Sequence, residues 1–376
     1  LSAETFVTEH LPRVSSDCRP APRSGALAVC PRCGLAQTVV DENWRRAADD
    51  VYEAYDIYAA AEGAEQKVAA GDGLAGRSEV LVRQWAAEGA LARSGHLLDV
   101  GCGNGSFLRA FSLRFPAWKL SAVETSDRYL PRLEELAGFE DFFLVGRDQI
   151  RGAFDAVSLV HVLEHLADPA SHLADLRRHA KTGAGLLVEV PGWRDNPFAL
   201  MISDHASHFT PASLETVVRN AGWAPTVVAT DWVAKELTLI ADNNAGGEPA
   251  SGMVDPGVAL RELAGAVAWL QEVARLAAEA AAGSRHFGLF GTAIAATWLY
   301  QTLPDSVRFL VDEDPDRVGR THLGLPILSP ADVPDGSDVF VGVSPLLSSA
   351  IARRLASGGR RYHAVTSGGT TSFPTP

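Results

Sequence analysis

The segment Leu97-Leu98-Asp99-Val100-Gly101-Cys102-Gly103-Asn104-Gly105-Ser106-Phe107 constrains this chain more than any other. A short apolar run ends in three alternating glycines and passes directly into helical spacing. Glycines there permit positive φ and let the backbone approach a ligand closely. The helix start supplies free N–H groups and positive potential. Glu124 stands 19 residues after Gly105, at the tip of the next apolar run, Leu120–Val123. A carboxylate in that place can accept both hydroxyls of an adenosine ribose. Strand, turn, helix and acid together predict a nucleoside cofactor. A tight turn without a ligand is the bland alternative.

Further runs of strand length follow at Phe142–Val145, Ala156–Val160 and Leu186–Val190, with helical spacing at Ala170–Lys181. Strands alternating with helices predict a parallel sheet covered on both faces. Pro225–Thr230 and Glu236–Ala241 close this unit. The spacing divides the chain into five parts: an irregular segment 1–45, a helical connector 46–77, the cofactor unit 78–245, a linker with one long Ala-rich helix 246–282, and a second α/β unit 283–376. Within the connector, the stretch around Gly71–Gly76 reads as a polar loop.

Composition narrows the function. With 33 basic and 46 acidic residues the net charge is −13, which argues against a nucleic-acid partner. No apolar run reaches the ~20 residues of a membrane span. Four cysteines do not make a disulfide framework, so a cytoplasmic setting is expected.

Cys30-Pro31-Arg32-Cys33-Gly34 has the spacing of half a zinc-ribbon ligand set. Completion by Cys18 and a histidine, completion by a Cys-x-x-Cys upstream of Leu1, and no metal at all stay open. A redox role for the pair is a further alternative. His161, His165, His205 and His208 cluster in one stretch of the chain. A loop histidine such as His205 can titrate near neutrality and act as general base. Asp204 can raise its basicity or bind a substrate hydroxyl. Structural packing is the alternative for His161 and His208. Thr210-Pro211 reads as the capped start of a helix.

The turn Asp99–Gly105 resembles the first motif of class I S-adenosylmethionine (SAM) methyltransferases. Phe154–Val157 and Val162–Pro169 look like their fourth strand and the loop after it. The resemblance implies that Asp99, Gly101, Gly103, Gly105 and Glu124 hold SAM, with Asp148 on the adenine side and His161 nearby. In full order the parts resemble the C-methyltransferases of nucleotide-linked deoxysugars. The fold then implied is α/β: a class I, Rossmann-like SAM domain flanked by a zinc-ribbon-like N-terminal segment and a C-terminal Rossmann-like domain. Structural Zn2+ is implied at Cys30 and Cys33, with Cys18 as a candidate third ligand. Tyr52, Tyr55 and Tyr58 fit the tyrosine-rich border of the sugar-nucleotide site. Ile202-Ser203-Asp204-His205 departs from the family's Tyr-x-Glu-His, keeping the histidine and a shorter acid.

That resemblance implies deprotonation at C3 of a 4-keto-sugar and attack of the enolate carbon on the SAM methyl. His205 is the expected base, and His165 or a tyrosine from 52–58 the expected partner of the enolate oxygen. The C-terminal turn Gly288-Leu289-Phe290-Gly291-Thr292 is expected to complete the substrate cleft rather than bind NAD(P). The alternatives are O- or N-methylation of another small molecule, a bifunctional methyltransferase and ketoreductase, and a SAM-binding protein without catalysis. A monomer or homodimer is expected, with a local positive cluster to receive an anionic substrate.

Overall fold

The structure is a computed structural model. It describes all residues except 1–4, 7, 9, 23–24, 54–64, 66, 71–72, 245–254, 357–358, 367–368 and 374–376. Its centre is a seven-stranded sheet built from β1 (His96–Val100), β2 (Lys119–Glu124), β3 (Phe139–Leu144), β4 (Phe154–Val160), β5 (Ala180–Pro191), β6 (Ala224–Ala229) and β7 (Glu236–Asp242). The spatial order is β3-β2-β1-β4-β5-β7-β6. All neighbours among β1–β5 are parallel, and β7 runs antiparallel to both β5 and β6. Such strands are covered on both faces and therefore read as continuous apolar runs.

Alternation along each strand sends side chains to two cores. Leu97 packs with Trp85, Phe107 and Phe111 from helices α1 (Arg77–Glu88) and α2 (Ser106–Arg114). Its neighbour Leu98 packs on the other face with Leu173, Leu214 and Val217 from α3 (Pro169–Arg177) and α4 (Pro211–Asn220). Helix α4 starts as its sequence predicts. Thr210 caps it, Pro211 sits in the first turn, and Thr210 and Ser213 exchange a capping box. Strand order reverses between β1 and β4, so their C-terminal ends open a crevice.

The expected loop around Gly71–Gly76 is instead one arm of a hairpin. Lys67–Ala70 pairs antiparallel with Gly73–Gly76, with Val68 opposite Ala75. Backbone ladders hold this hairpin, so glycine there does not prevent pairing. Towards the start of the expected connector a helix spans Glu42–Glu53.

Residues 1–45 do not form a separate unit. Thr5–Phe6, Leu27–Val29 and Ala36–Thr38 build an antiparallel sheet whose fourth strand is Ser207–His208, from the loop before α4. Arg13 is buried and donates to the carbonyls of Leu200 and Gly25 and to Thr8 Oγ1. These contacts fasten the N-terminal segment to the 197–208 loop.

The long helix α5 (Pro256–Ala282) is capped by Asp255 and buries Leu263, Val267, Leu270 and Val273 along one stripe. It packs in a shared core with Trp193, Phe198 and Met201 of the first unit and Phe287, Trp298 and Leu310 of the last. The last unit has a second seven-stranded sheet: β8 (Phe287–Phe290), β9 (Val307–Val311), β10 (Thr321–His322), β11 (Leu325–Leu328), β12 (Asp338–Val341), β13 (Arg361–Thr366) and β14 (Gly369–Phe373), in the order β10-β11-β9-β8-β12-β13-β14. Among the described residues no helix is long and apolar enough to cross a membrane.

Candidate functional site

The glycine turn opens the crevice at the end of β1. Gly101, Gly103 and Gly105 all have positive φ, at 70°, 52° and 81°. A Cβ at Gly101 would collide with Val162 Cγ2, and one at Gly105 would lie 2.5 Å from Leu133 Cδ2. Glycine is thus required by conformation and by space. Glu124 Oε2 accepts from the Gly103 N–H at 2.8 Å, so the acid stands against the turn as its spacing predicts.

Asp99 is 2% exposed. Its Oδ1 accepts from Ser158 Oγ at 2.7 Å, and its Oδ2 has no partner among the described residues. Burial, opposed by the Ser158 hydrogen bond and reinforced by Glu124, pushes its carboxyl up to about 7. Asp148 sits after β3, where its Oδ2 accepts from the Leu144 N–H at 3.0 Å and pairs with Arg147 at 3.2 Å. The loop before it touches Glu124, whose carbonyl accepts from the Val145 N–H.

His161 stands at the end of β4 in a left-handed conformation, φ 55°. It lies at the centre of a buried ionic group that the sequence reading missed. Its Nδ1 is 3.1 Å from Glu164, and its Nε2 is 2.8 Å from Arg77, 3.3 Å from Glu189 and 3.7 Å from Glu236. Burial and Arg77 oppose its protonation, but Glu236, Glu164 and Glu189 outweigh them and raise its pKa to about 10. The Arg77 contact alone would favour the neutral ring; three carboxylates against one guanidinium decide for the cation. The expected positive cluster is therefore absent from this group, where three acids face Arg77 and His161. The one sequence signal was Glu189, a carboxylate inside the otherwise apolar Leu186–Val190.

His165 and His205 meet edge to face, with ring centroids 4.7 Å apart. Asp204 was expected to serve His205, but its side chain reaches His165 instead, with Oδ2 3.5 Å from Nδ1. The Asp204 carbonyl lies 3.1 Å from the same nitrogen. The Asp204 carboxylate also accepts from the N–H and Oγ of Ser16, at 2.8 and 2.6 Å. Ser16 thus orients the acid that orients His165, a role no motif announced. His205 is 3% exposed, and burial, with His165, His208 and His161 adding to it, holds its pKa well below the ordinary value. His208 is structural: it contacts Thr38 Oγ1 at 3.1 Å. Tyr52 borders His165, with centroids 5.8 Å apart. Tyr55 and Tyr58 lie outside the described residues.

The cysteines do not assemble as a three-ligand set. Cys30 and Cys33 flank a knuckle turn in which the Gly34 N–H donates to the Cys30 carbonyl at 2.9 Å, with Gly34 at φ 68°. Burial and the neighbouring Cys30 push Cys33 up to about 11. Cys18 sits in a different turn, half-buried, and its carbonyl accepts from Thr297 of the last unit. Its thiol is pushed up to about 11 by burial, and the charges around it are Arg317, Asp17, Lys235 and Asp204. Among the described residues no group of three close ligand atoms includes Cys18, Cys30 or Cys33. Among the described residues, two thiolates are short of the four ligands of a structural zinc site.

Comparison with known proteins matches residues 76–228 to the family described as "Methyltransferase domain". A ubiquinone biosynthesis O-methyltransferase from Thiobacillus denitrificans is 27% identical over 148 residues. That alignment covers 34% of this chain and 63% of the relative, so the chain spans less than two thirds of it. Human N-acetylserotonin methyltransferase in complex with SAM aligns at 15% identity and a TM-score of 0.38, over 45% of this chain and 52% of that one. A SAM-dependent methyltransferase from Aquifex aeolicus aligns at 19% and 0.37, over 44% and 92%. The stretch that this family model matches, residues 76–228, holds the glycine turn and the histidine loop.

Proposed function

We propose that the chain is a SAM-dependent methyltransferase acting on a small molecule. The observation that carries this reading is Asp99 Oδ2, a buried carboxylate oxygen without a partner among the described residues, beside a turn in which a Cβ at Gly101 or Gly105 would collide with a neighbour. An amine or ammonium is the group such an oxygen would receive, and burying it unmatched is costly. Asp99 would hold the amino-acid end of SAM, the glycine turn would lie along it, and Glu124 would take the ribose. When bound, SAM supplies an electrophilic methyl. The protein's part is then mainly to align acceptor, methyl and sulfur.

The finer reading is C3 methylation of a nucleotide-linked 4-keto-deoxysugar, with His205 as the proton acceptor. It is supported by the imidazole pair beside Tyr52 and by the N-terminal and C-terminal units packed around the 197–208 loop. The contact from Asp204 favours His165 as a second candidate for that step. O-methylation is the competing reading, supported by the name of the Thiobacillus relative.

Methyl-labelled SAM incubated with nucleotide 4-keto-deoxysugars and with hydroxylated acceptors tests both. C-methylation predicts label on carbon, and deuterium exchange at C3 without SAM that His205→Ala removes. Label on oxygen with no exchange selects the second reading. Failure to bind S-adenosylhomocysteine overturns both.

A further inference from the structure

Glu164, His165 and His205 each offer a ligand atom, and the three atoms lie within 4.8 Å of one another. They converge from two loops, Glu164 and His165 from the turn Leu163–His165 after β4 and His205 from the loop before α4. Glu164 is 1% exposed. Its Oε1 faces His161, while its Oε2 is buried with no hydrogen-bond partner among the described residues. A carboxylate oxygen left this way needs a donor or a cation.

The surroundings are those that orient metal ligands. The Asp204 carbonyl meets His165 at Nδ1, 3.1 Å away, and an N–H donated there leaves the Nε2 lone pair for a ligand. Glu164 is held from behind by His161, and Asp204 by Ser16. Such outer contacts fix the ligands before an ion arrives.

We propose that Glu164, His165 and His205 bind one divalent first-row transition cation. Two imidazoles and one carboxylate suit Zn2+, Fe2+, Mn2+ or Co2+ better than Mg2+ or Ca2+, which prefer all-oxygen sets. Three protein ligands leave positions open, the arrangement of a catalytic rather than a structural ion. The open side would take an oxygen of the methyl acceptor, and the ion would lower the pKa of a carbonyl's α-proton or of a hydroxyl held there. His205 would then serve as a ligand rather than as the base; the acidified proton would pass to solvent water, and the acceptor's freed electron pair would take the methyl as its bond to the SAM sulfur breaks. This catalytic use rests on the methyltransferase reading; ion binding itself does not.

The test measures Co2+ binding by the full chain carrying Cys30→Ser and Cys33→Ser, which removes the thiolate pair as a competitor. The expected result is one Co2+ per chain, with a visible ligand-field spectrum free of thiolate charge transfer. Glu164→Gln and His205→Ala, each added to that background, are expected to abolish it while far-ultraviolet circular dichroism is retained. If either variant fails to fold, hyperfine-shifted imidazole protons in the Co2+-loaded Cys30→Ser/Cys33→Ser protein give the answer, and two ligated rings are expected. No stoichiometric Co2+, binding that survives both substitutions, or no shifted ring protons would overturn the proposal. Because the readout needs neither SAM nor acceptor, its failure is separate from failure of the methyltransferase reading.

Discussion

The molecule contains two strand–glycine–helix turns in equivalent places. In the first, the Gly101 N–H donates to the Val123 carbonyl of the neighbouring strand at 2.8 Å; in the second, Gly291 donates to Val311 at 2.7 Å. Each has an acid at the tip of that strand, Glu124 and Asp312. Both acids are engaged within the protein: Glu124 Oε2 accepts from the Gly103 N–H, and its Oε1 from the N–H and Oγ1 of Thr125. Asp312 is consumed internally: its carboxylate accepts from Thr292 Oγ1 at 2.6 Å and the Asp314 N–H at 3.0 Å, with Arg317 3.6 Å away. Two residues before the glycine, the first turn carries Asp99 with a free buried oxygen, and the second carries the fully buried Leu289. The same backbone device thus stands beside a buried carboxylate oxygen without a partner in one place and beside a buried apolar side chain in the other.

The largest test of that contrast is Asp99→Asn. Burial raises the folded carboxyl to about 7 from its ordinary value of 3.8. A raised carboxyl binds its proton more tightly when folded, so stability is full below pH ~4 and falls as pH rises through ~7. By linkage the loss is up to ~4 kcal/mol above pH 8. Urea unfolding of the ligand-free protein should show this slope, and Asp99→Asn should remove it. The same substitution should weaken S-adenosylhomocysteine by ~10–100-fold in calorimetry, the worth of one charged hydrogen bond. A variant that is no more stable at pH 8 would mean that Asp99 is not the strained group.

Next in size is Gly101→Ala. Positive φ and the Val162 collision together should cost ~2–5 kcal/mol and abolish cofactor binding. At Gly291 the φ is 93° but nothing lies within 4 Å of an added Cβ. Gly291→Ala should cost only ~1–2 kcal/mol and leave cofactor affinity unchanged. Equal losses of affinity at the two positions would erase the distinction. The smallest effect is expected from Arg317→Ala, which should lower unfolding stability by ~1 kcal/mol without altering methyl transfer.

Much of the central unit was legible because its signals are local. Continuous apolar runs mark β1, β4 and β5, and the cap at Thr210 marks α4. The positions of Asp99 and Glu124 follow from counting along the chain. What was hidden depends on distant partners. The strands Thr5–Phe6 and Ser207–His208 are two residues long and carry no periodicity. Asp204 stands next to His205 in sequence, yet the path of the loop turns its carboxylate toward His165. Arg77, Glu189 and Glu236 are far apart in sequence, and only the packing of helix α1 on the sheet brings them to His161. Cys18 shares a residue type with Cys30 and Cys33 but is drawn away by its turn against the C-terminal unit.

The stitching of the N-terminal segment to the histidine loop has a consequence for assembly. Ser16 is made early, and Asp204 is made 188 residues later. At ~5–20 residues per second the ribosome would take ~10–40 s to deliver the partner. Closing so long a loop adds only a slowly growing entropy cost, but it places the contact among the last to form. The contact therefore cannot form until residue 204 has left the ribosome, so the N-terminal segment waits without its anchor at Ser16 while β1–β5 are made.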